Sequence, residues 1–279
     1  MDAADVRVRE LMEQLDSLID GESAAAHLVA CGRAAIEPLR RFVLESPPRG
    51  VPQPRCWAVR ALAGLGAKDI LIDYLQREVP TADPVVRLAE EAVQRAAALA
   101  LAAGWSTDEV FDTLLMLTRR RVIPGVIEAL GRFERRAAVP VLVQALGDDF
   151  CRPWAEIALE RVASRDRDLL IRWALIRAVN DGQETASSLH RRRSLLRVLR
   201  EVPLALGEAH MLASFIEDPD VELAVDAAAI AIKYGSDEDA SSARQRLSRI
   251  APTAPWHLYH DIRELLRPMV LERHIETAS

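Results

Sequence analysis

Residues 122–131 read Val-Ile-Pro-Gly-Val-Ile-Glu-Ala-Leu-Gly, and residues 137–147 read Ala-Ala-Val-Pro-Val-Leu-Val-Gln-Ala-Leu-Gly. Four apolar residues in each segment recur at i, i+3, i+4 and i+7: Ile123, Val126, Ile127 and Leu130, then Val139, Leu142, Val143 and Leu146. This spacing predicts two short helices, each apolar on one side. Because so short a pair cannot bury its apolar sides alone, the stretch predicts a solenoid of stacked helix pairs.

The same alternation of short helical segments extends in both directions along the chain. A turn residue inside each unit recurs at steps of 34, 38, 30, 30, 43 and 28 residues: Gly32, Gly66, Gly104, Glu134, Ser164, Gly207 and Gly235. Recurrent steps of this size, each spanning two helices, are typical of a degenerate helical repeat array. Glycine suits such a turn because a helix commonly ends in a left-handed residue.

The predicted fold is therefore all-α, an α-α superhelix of about six to seven helix pairs with a capping helix at each end. We expect one domain over residues 1–279, with a cap helix at 1–20, repeats at 21–250, and a cap helix and tail at 251–279. Aromatic residues make up only 5% of the chain, so the core must be built from Ala, Leu, Val and Ile. Alternating β-branched patterns are scarce, and we expect essentially no sheet.

Local signals place several helix boundaries. Asp83-Pro84 and Asp218-Pro219 each predict a helix start, with Asp as the N-cap and Pro at the first position. The segment 106–109, Ser-Thr-Asp-Glu, predicts a capping box for the following helix. We expect the first helix at 6–19 with Leu18 and Ile19 on its apolar side, and the closing cap helix at 256–272 with Met269. The polar segment 180–188 predicts a loop.

Residues 128–146, Glu-Ala-Leu-Gly-Arg-Phe-Glu-Arg-Arg-Ala-Ala-Val-Pro-Val-Leu-Val-Gln-Ala-Leu, resemble the core motif of HEAT-like (armadillo-like) repeats of the phycobilisome-lyase type. Residues 57–66 and 83–87 look like the second helix of the same unit. Glu134 and Ser164 stand where that motif has glycine. The resemblance implies an α-solenoid with its second helices on the concave side and partner binding as the usual role. Its motif residues hold the fold, so none is transferred as catalytic.

Charge is distributed unevenly along the chain. Between Arg119 and Arg200 there are 17 arginines and 10 acidic residues, a net charge of +7. The remainder has 19 basic and 32 acidic residues, a net charge of −13, and the whole chain carries −6. In an elongated solenoid these regions lie further apart than the Debye length of ~8 Å at physiological salt. The acidic ends therefore do not cancel the basic middle for an approaching partner.

The arginines of this middle region are the predicted partner-binding residues. Arginine presents a planar fork that matches carboxylates and phosphates. The predicted set is Arg119, Arg120, Arg121, Arg152, Arg191, Arg192, Arg193, Arg197 and Arg200. The alternative is that these arginines form ion pairs along solvated helix faces and bind nothing.

Signatures of catalysis and of cofactor binding are missing. The chain lacks G-x-S-x-G, H-E-x-x-H, G-x-x-x-x-G-K-[ST] and G-x-G-x-x-G. His257, His260 and Asp261, with His274 as a fourth ligand, form the best metal candidate, but polar residues on a capping helix are the favoured interpretation. Acidic clusters such as 237–239 fall at helix starts, where negative charge offsets the helix dipole. We predict no catalytic residue, no metal and no cofactor.

The predicted function is a non-enzymatic scaffold for protein–protein interaction, which binds a partner, such as an acidic segment, on the concave face of the solenoid. Nucleic-acid binding through the arginine-rich middle is the alternative, and a bilin-lyase-like enzyme is a remote one. Cys31, Cys56 and Cys151 show neither metal spacing nor a disulfide framework, which fits a reduced, cytoplasmic setting. The acidic start, Met-Asp-Ala-Ala-Asp, does not resemble a signal peptide, and no apolar run reaches membrane-spanning length. The identity of the partner and the oligomeric state stay open.

Overall fold

The computed structural model describes residues 3–77, 82–120 and 122–267, and their regular structure is almost entirely helical. The α-helices are α1 (Ala3–Gln14), α2 (Gly21–Ala30), α3 (Ile36–Leu44), α4 (Gln53–Gly64), α5 (Lys68–Gln76), α6 (Pro84–Gly104), α7 (Asp108–Arg120), α8 (Pro124–Gly131), α9 (Val139–Ala145), α10 (Arg152–Leu175), α11 (Ala186–Arg200), α12 (Leu206–Leu212), α13 (Val221–Tyr234), α14 (Asp237–Ile250) and α15 (Trp256–Leu266). Short 3-10 turns lie at Gly32–Ala35, Arg136–Ala138, Ala213–Phe215 and Ala251–Thr253. Strands β1 (Val179–Asn180) and β2 (Gln183–Glu184) form one small hairpin. The all-α class is confirmed.

The chain divides into two compact units, with the boundary between Val162 and Ala163. Unit 1 contains α1 to α9 and the first part of α10, and unit 2 contains the rest of α10 and α11 to α15. Within the described ranges, no helix combines the length and the apolar character needed to cross a membrane.

Unit 1 is built from two rows of helices. Helices α2, α4, α6 and α8 contact one another in succession, and α1, α3, α5 and α7 form a second succession beside them. Each helix of one row also packs against its sequence neighbour in the other row. Leu28, Leu62, Leu101 and Leu130, one from each helix of the first row, are completely buried. The core of unit 1 therefore lies between the rows.

Small residues let the helices of the first row approach closely. A Cβ atom at Gly21 would lie 2.1 Å from the ring of Trp57, so α2 and α4 come together only because this side chain is absent. A Cβ atom at Gly125 would lie 2.2 Å from the side chain of Arg95, which imposes the same requirement on α6 and α8. Contacts this tight tolerate no larger residue without moving a neighbour.

Three of the predicted turn residues have left-handed backbone conformations, namely Gly32 (φ 65°), Gly66 (φ 74°) and Glu134 (φ 49°). They follow α2, α4 and α8, respectively. The interval from Gly32 to Gly66 is 34 residues, and the interval from Gly66 to Glu134 is 68 residues, twice that length. At Gly66 the N–H of Ala67 donates to the carbonyl of Leu62 at 2.9 Å, the bond that closes a Schellman motif. The repeat turn is thus confirmed at these three positions.

The other predicted turn residues do not have left-handed angles, although two of them lie where one helix ends before the next. Gly104 is the last residue of α6, and Gly235, with a φ of −79°, is the C-cap of α13. Gly207 is wrong because it lies inside α12, and Ser164 is wrong by two residues because α10 is interrupted at Asp166, whose angles are not helical. A left-handed residue is one of several ways to end a helix, so spacing alone overestimates how often it is used.

Unit 2 is organised around α13. Its residues 223–231 are all buried, and it contacts α11, α12, α14 and α15. Seven of those nine residues are Ala, Val or Ile, whose small or branched side chains let four helices pack around one. α13 is therefore the central helix of unit 2.

The β-hairpin corrects the expectation of a loop at 180–188, while its two strands of two residues agree with the expectation of essentially no sheet. Val179 pairs with Glu184 and Asn180 with Gln183, and Asp181 and Gly182 form the turn with φ angles of 50° and 79°. Positive φ at both central residues is the type I′ geometry that Asp-Gly favours. The sequence contains the Asp-Gly dipeptide that favours such a turn. Strands of two residues, however, are too short to show the alternation of apolar and polar residues that would predict them.

Predicted helix starts are confirmed in one case and shifted in two others. Asp83 caps α6 as predicted, since its side chain accepts a hydrogen bond from the N–H of Val85 at 2.8 Å. The cap of α13 is Asp220, not Asp218, whose carboxylate instead accepts from the Asp220 N–H at 2.9 Å. The capping box at 106–109 is also wrong, because Thr107 caps α7 and the Glu109 carboxylate bonds to Lys68.

The ends of the described chain differ from the expected cap helices. α1 stops at Gln14, because the Ser17 hydroxyl accepts from the N–H groups of Ile19 and Asp20 and forms a turn. Leu18 and Ile19, predicted on an apolar helix side, are therefore 65% and 91% exposed. α15 begins at Trp256 as predicted and ends at Leu266, while Met269 lies outside the described residues.

Candidate functional site

Helix α11 carries five of the nine arginines predicted to bind a partner. Thr185 caps this helix, with its hydroxyl accepting from the N–H of Ser188 at 3.2 Å. Within the helix the basic positions fall on several sides, so the arginines point toward different elements of unit 2. Their surroundings decide what each of them does.

Arg192 is the most deeply buried of the five, with 3% of its surface exposed. Its guanidinium bonds to Glu184 in the hairpin and to Asp218 before α13, at 3.0 Å for the latter, and lies over the ring of Phe215. Arginine offers five donors in a fixed plane, so one side chain satisfies two carboxylates. Arg192 therefore ties the hairpin and the start of α13 to α11.

Arg193 and Arg197 face the first turn of α13. Arg193 bonds to Asp220 and, at 2.9 Å, to Glu222, and these partners raise the pKa of Arg193 above its usual range. Arg197 lies 3.9 Å from the Glu222 carboxylate and is half exposed. Because Asp220 is also the N-cap of α13, the Arg193 pair fixes the beginning of that helix.

Arg200 connects three helices. Its two terminal nitrogens bond to both oxygens of Asp261 in α15, at 2.6 and 2.7 Å, and one of them also contacts Asp226 in α13 at 3.2 Å. The bidentate pair with Asp261 raises the pKa of Arg200 above its usual range. Asp226 receives only the remaining contact, and burial raises its pKa to about 6 even though Arg200 acts in the opposite direction.

The pH dependence of stability tests this arrangement. Because the folded pKa of Asp226 lies above its ordinary value of 3.8, the stability it contributes is fully present below pH 3.8 and is lost as pH rises through 6. Asp226→Asn should therefore reduce the fall in unfolding free energy between pH 4.5 and 7.5 by about 1–3 kcal/mol. Urea unfolding at the two pH values measures it, with the exposed Asp237→Asn as control. An unchanged pH profile in the Asp226 variant would contradict the assignment.

The remaining predicted arginines lie elsewhere. Arg191 donates to the carbonyl of Ile176 at 3.0 Å, and Arg152 donates to the carbonyl of Leu146 at 3.0 Å and pairs with Asp149. Arg119 is exposed on α7. The side chain of Arg120 and the whole of Arg121 fall outside the described residues. The arginines of this set that the structure describes make separate contacts, and a partner-binding role for them stays a prediction.

A second buried ion pair lies in unit 1. Glu90 on α6, 4% exposed, accepts from Arg55 on α4 and from the hydroxyl of Tyr74 on α5 at 2.5 Å. Arg55 also donates to the carbonyl of Val43 on α3 at 2.6 Å. Burial, followed by the charge of Glu90, raises the pKa of Tyr74 above its usual range. Glu90 and Arg55 together thus join four consecutive helices, and the group has the character of a structural tie.

The metal candidate of the sequence is not assembled around a common point. Asp261 is engaged by Arg200, and His274 lies outside the described residues. His257 and His260 are exposed on α15. Among the residues that the structure describes, no group of three or more His, Cys, Asp or Glu side chains could hold a metal ion.

Two exposed apolar surfaces were not recognised from the sequence. In unit 1 a recess of about 340 Å³ lies between α3 and α4, lined by Leu18, Phe42, Pro47, Val51 and Pro54 and bordered by the Asp16–Arg49 ion pair. In unit 2, Trp256 and Tyr259 lie on the solvent side of α15, and Arg263 lies over the Tyr259 ring at 5.8 Å. The signal for α15 was available, since Trp256, Tyr259 and Arg263 stand at i, i+3 and i+7 and so share one side of a helix.

Comparisons with models of known protein families and with curated proteins find no match to this chain. The resemblance of residues 128–146 to HEAT-like repeats therefore stays a prediction.

Proposed function

We propose that the chain is a non-enzymatic protein-binding scaffold, built as a HEAT-like α-solenoid of about six to seven helix pairs. The arrangement of unit 1 in two rows carries this proposal, because each helix contacts its immediate neighbours in a linear succession. Contact restricted to neighbours is the defining property of repeat arrays. The left-handed turns at Gly32, Gly66 and Glu134, spaced by multiples of 34 residues, support the same register.

The row of α2, α4, α6 and α8 is the proposed concave side. Gly21 and Gly125 draw neighbouring helices of this row together, and a row with shorter spacing lies on the inside of a curve. Ion pairs cross the same row, from Glu22 to Arg60 at 3.2 Å and from Arg95 to Glu128 at 3.0 Å. A surface with both positive and negative charges suits a partner protein that presents a polar surface better than one that presents an apolar surface.

The buried carboxylates among the described residues favour a binding role over an enzymatic one. The buried carboxylates Glu90 and Asp226 each face an arginine that also makes structural bonds. Structural ion pairs of this kind perturb pKa values without serving a reaction, although Arg55 also lines the recess between α3 and α4. A cytoplasmic location belongs to the same proposal, and it rests on the three cysteines, which form no disulfide.

The ion pairs of α11 favour a protein partner over nucleic acid. Binding a phosphate backbone requires several arginines free to replace counterions. Arg192, Arg193 and Arg200 are instead each bonded to two carboxylates within unit 2. The net charge of −6 further opposes a polyanion.

Affinity purification of the full chain after cross-linking, followed by reconstitution with the purified partner, tests the function. We expect a protein that binds with a dissociation constant below about 10 μM. Arg60→Glu on the proposed concave row should weaken binding at least tenfold, whereas Arg7→Glu, an exposed arginine on α1, should change it less than threefold. Recovery of nucleic acid, or a gel shift at low salt that disappears at high salt, would support the competing function.

A further inference from the structure

Helix α15 has two faces of different character. Its inner face packs on α13 and α14, with Ile262 completely buried, and Asp261 forms a bidentate pair with Arg200 of α11. Its outer face carries Trp256, 88% exposed, and Tyr259, 49% exposed. At 100° per residue, Trp256, His260 and Arg263 fall within about 60° of one another, with Tyr259 at the edge.

The outer face has the composition of an interface hot spot. Trp, Tyr and Arg are the residues whose truncation most often costs large amounts of binding energy. A tryptophan buries roughly 150–250 Å² when covered, and here nearly all of that surface faces water. Because the Asp261–Arg200 pair and Ile262 hold the helix, the side chains are presented from a fixed element.

Charge on α15 selects the kind of partner. Both acidic residues of the helix are engaged, Asp261 by Arg200 and Glu264 by Arg267 at 2.7 Å. Arg263 lies over Tyr259 and forms no ion pair with a described carboxylate. The outer face therefore offers Arg263 and His260 next to the aromatic rings, and Glu264 at its edge is paired with Arg267.

We propose that the outer face of α15 binds an acidic segment of a protein partner, which packs an apolar side chain on Trp256 and Tyr259 and places a carboxylate on Arg263. A single-stranded nucleic acid would also stack on aromatic rings. The adjoining α14 begins with Asp237, Glu238 and Asp239, however, and these charges oppose a continuous phosphate backbone more than a short segment with separated carboxylates. This surface lies in unit 2 and does not depend on the concave row proposed for unit 1.

Fluorescence anisotropy with the full chain tests the assignment. The probes are a labelled 16-residue peptide with Glu and Leu in helical spacing, the same peptide with Lys in place of Glu, and a labelled 16-nucleotide single strand. The Glu peptide should bind, the Lys peptide should not, and Trp emission should change on binding. Trp256→Ala and Arg263→Glu should each weaken binding at least tenfold, while Arg172→Glu, an exposed arginine of the same unit, should change it less than twofold.

Several outcomes would overturn the proposal. Binding that is unchanged in both α15 variants would place the site elsewhere, and tighter binding of the single strand than of the Glu peptide would reassign the face to nucleic acid. A chain that ends at Arg267 tests whether residues 268–279 of the same chain occupy the outer face. If they do, removing them should expose Trp256 to water and shift its emission to the red. Equal circular dichroism and melting temperature in all variants show that the fold is intact. Failure of these tests leaves the concave-row experiment with Arg60→Glu unaffected.

Discussion

Replacing Glu90 by alanine should lower the free energy of unfolding of unit 1 by about 3–5 kcal/mol. The substitution leaves the guanidinium of Arg55 buried without its carboxylate and removes the acceptor of the Tyr74 hydroxyl. An unpaired charge in a low-dielectric interior costs far more than the pair contributes when it is intact. Guanidinium unfolding followed by circular dichroism measures the change.

A neighbour on the same helix provides the matched control. Glu91 is half-buried, and Glu91→Ala should change the unfolding free energy by less than about 1 kcal/mol. Replacing both partners together, Arg55→Met with Glu90→Leu, should recover most of the loss because no charge stays buried. If Glu90→Ala unfolds within 1 kcal/mol of the wild type, the group is not a structural tie and its carboxylate should be examined as a functional group.

Arg192→Ala should cost unit 2 a similar amount, about 3–5 kcal/mol. Glu184 and Asp218 would lose the guanidinium that joins them, and both carboxylates are largely shielded from water. The hairpin has only two residue pairs of its own, too few for independent stability. We therefore expect its amide protons, measured by hydrogen exchange, to lose protection before those of α13 do.

Arg197→Ala is the control for this substitution, because Arg197 is half exposed and its contact with Glu222 is 3.9 Å long. Exposed pairs contribute about 0–1 kcal/mol, and the variant should stay within that range. A loss of stability in Arg192→Ala no greater than in Arg197→Ala would show that Glu184 and Asp218 find other partners. It would also restore the arginines of α11 as candidates for an external ligand.

Helical periodicity and local capping chemistry predicted the all-α class and several individual helices and turns. The apolar spacing at 122–146 identified α8 and α9, and Asp83 was recognised as the N-cap of α6 because Asp-Pro satisfies the first turn within three residues. Glycine at 32 and 66 predicted turns that the backbone indeed makes with positive φ. These features are determined by residues only a few positions apart, so they can be predicted from the sequence.

Errors arose where two local signals competed or where an element was too short. Asp218 and Asp220 both precede α13. The Asp-Pro pattern predicts Asp218 as the N-cap, but the N-cap is Asp220, which is bonded to Arg193 on another helix. The hairpin at 179–184 rests on one Asp-Gly turn and on the bonds of Glu184 to α11. Neither outcome follows from propensity, because the deciding partner lies on another element.

The arginine-rich middle shows this limit most directly. The sequence shows where the arginines are, and their chemistry favours carboxylates as partners. It does not show whether those carboxylates belong to this chain or to a binding partner. Arg192 meets Asp218 and Arg200 meets Asp261, residues 26 and 61 positions further along the chain. The sequence also predicts a cap helix at Trp256 and Arg263 without showing that these side chains are exposed. Their exposure depends on which side of α15 packs on α13 and α14.

Helix formation in this chain is a short-range matter, governed by apolar spacing, caps and glycine turns over a few residues, and the order of amino acids specifies it. Ion-pair partners, buried charge and the face of α15 left in water depend on helices distant in sequence, because charge and solvent act through space. Those long-range contacts engage Arg192 and Arg200 of α11 in internal ion pairs and leave Trp256 of α15 exposed to water.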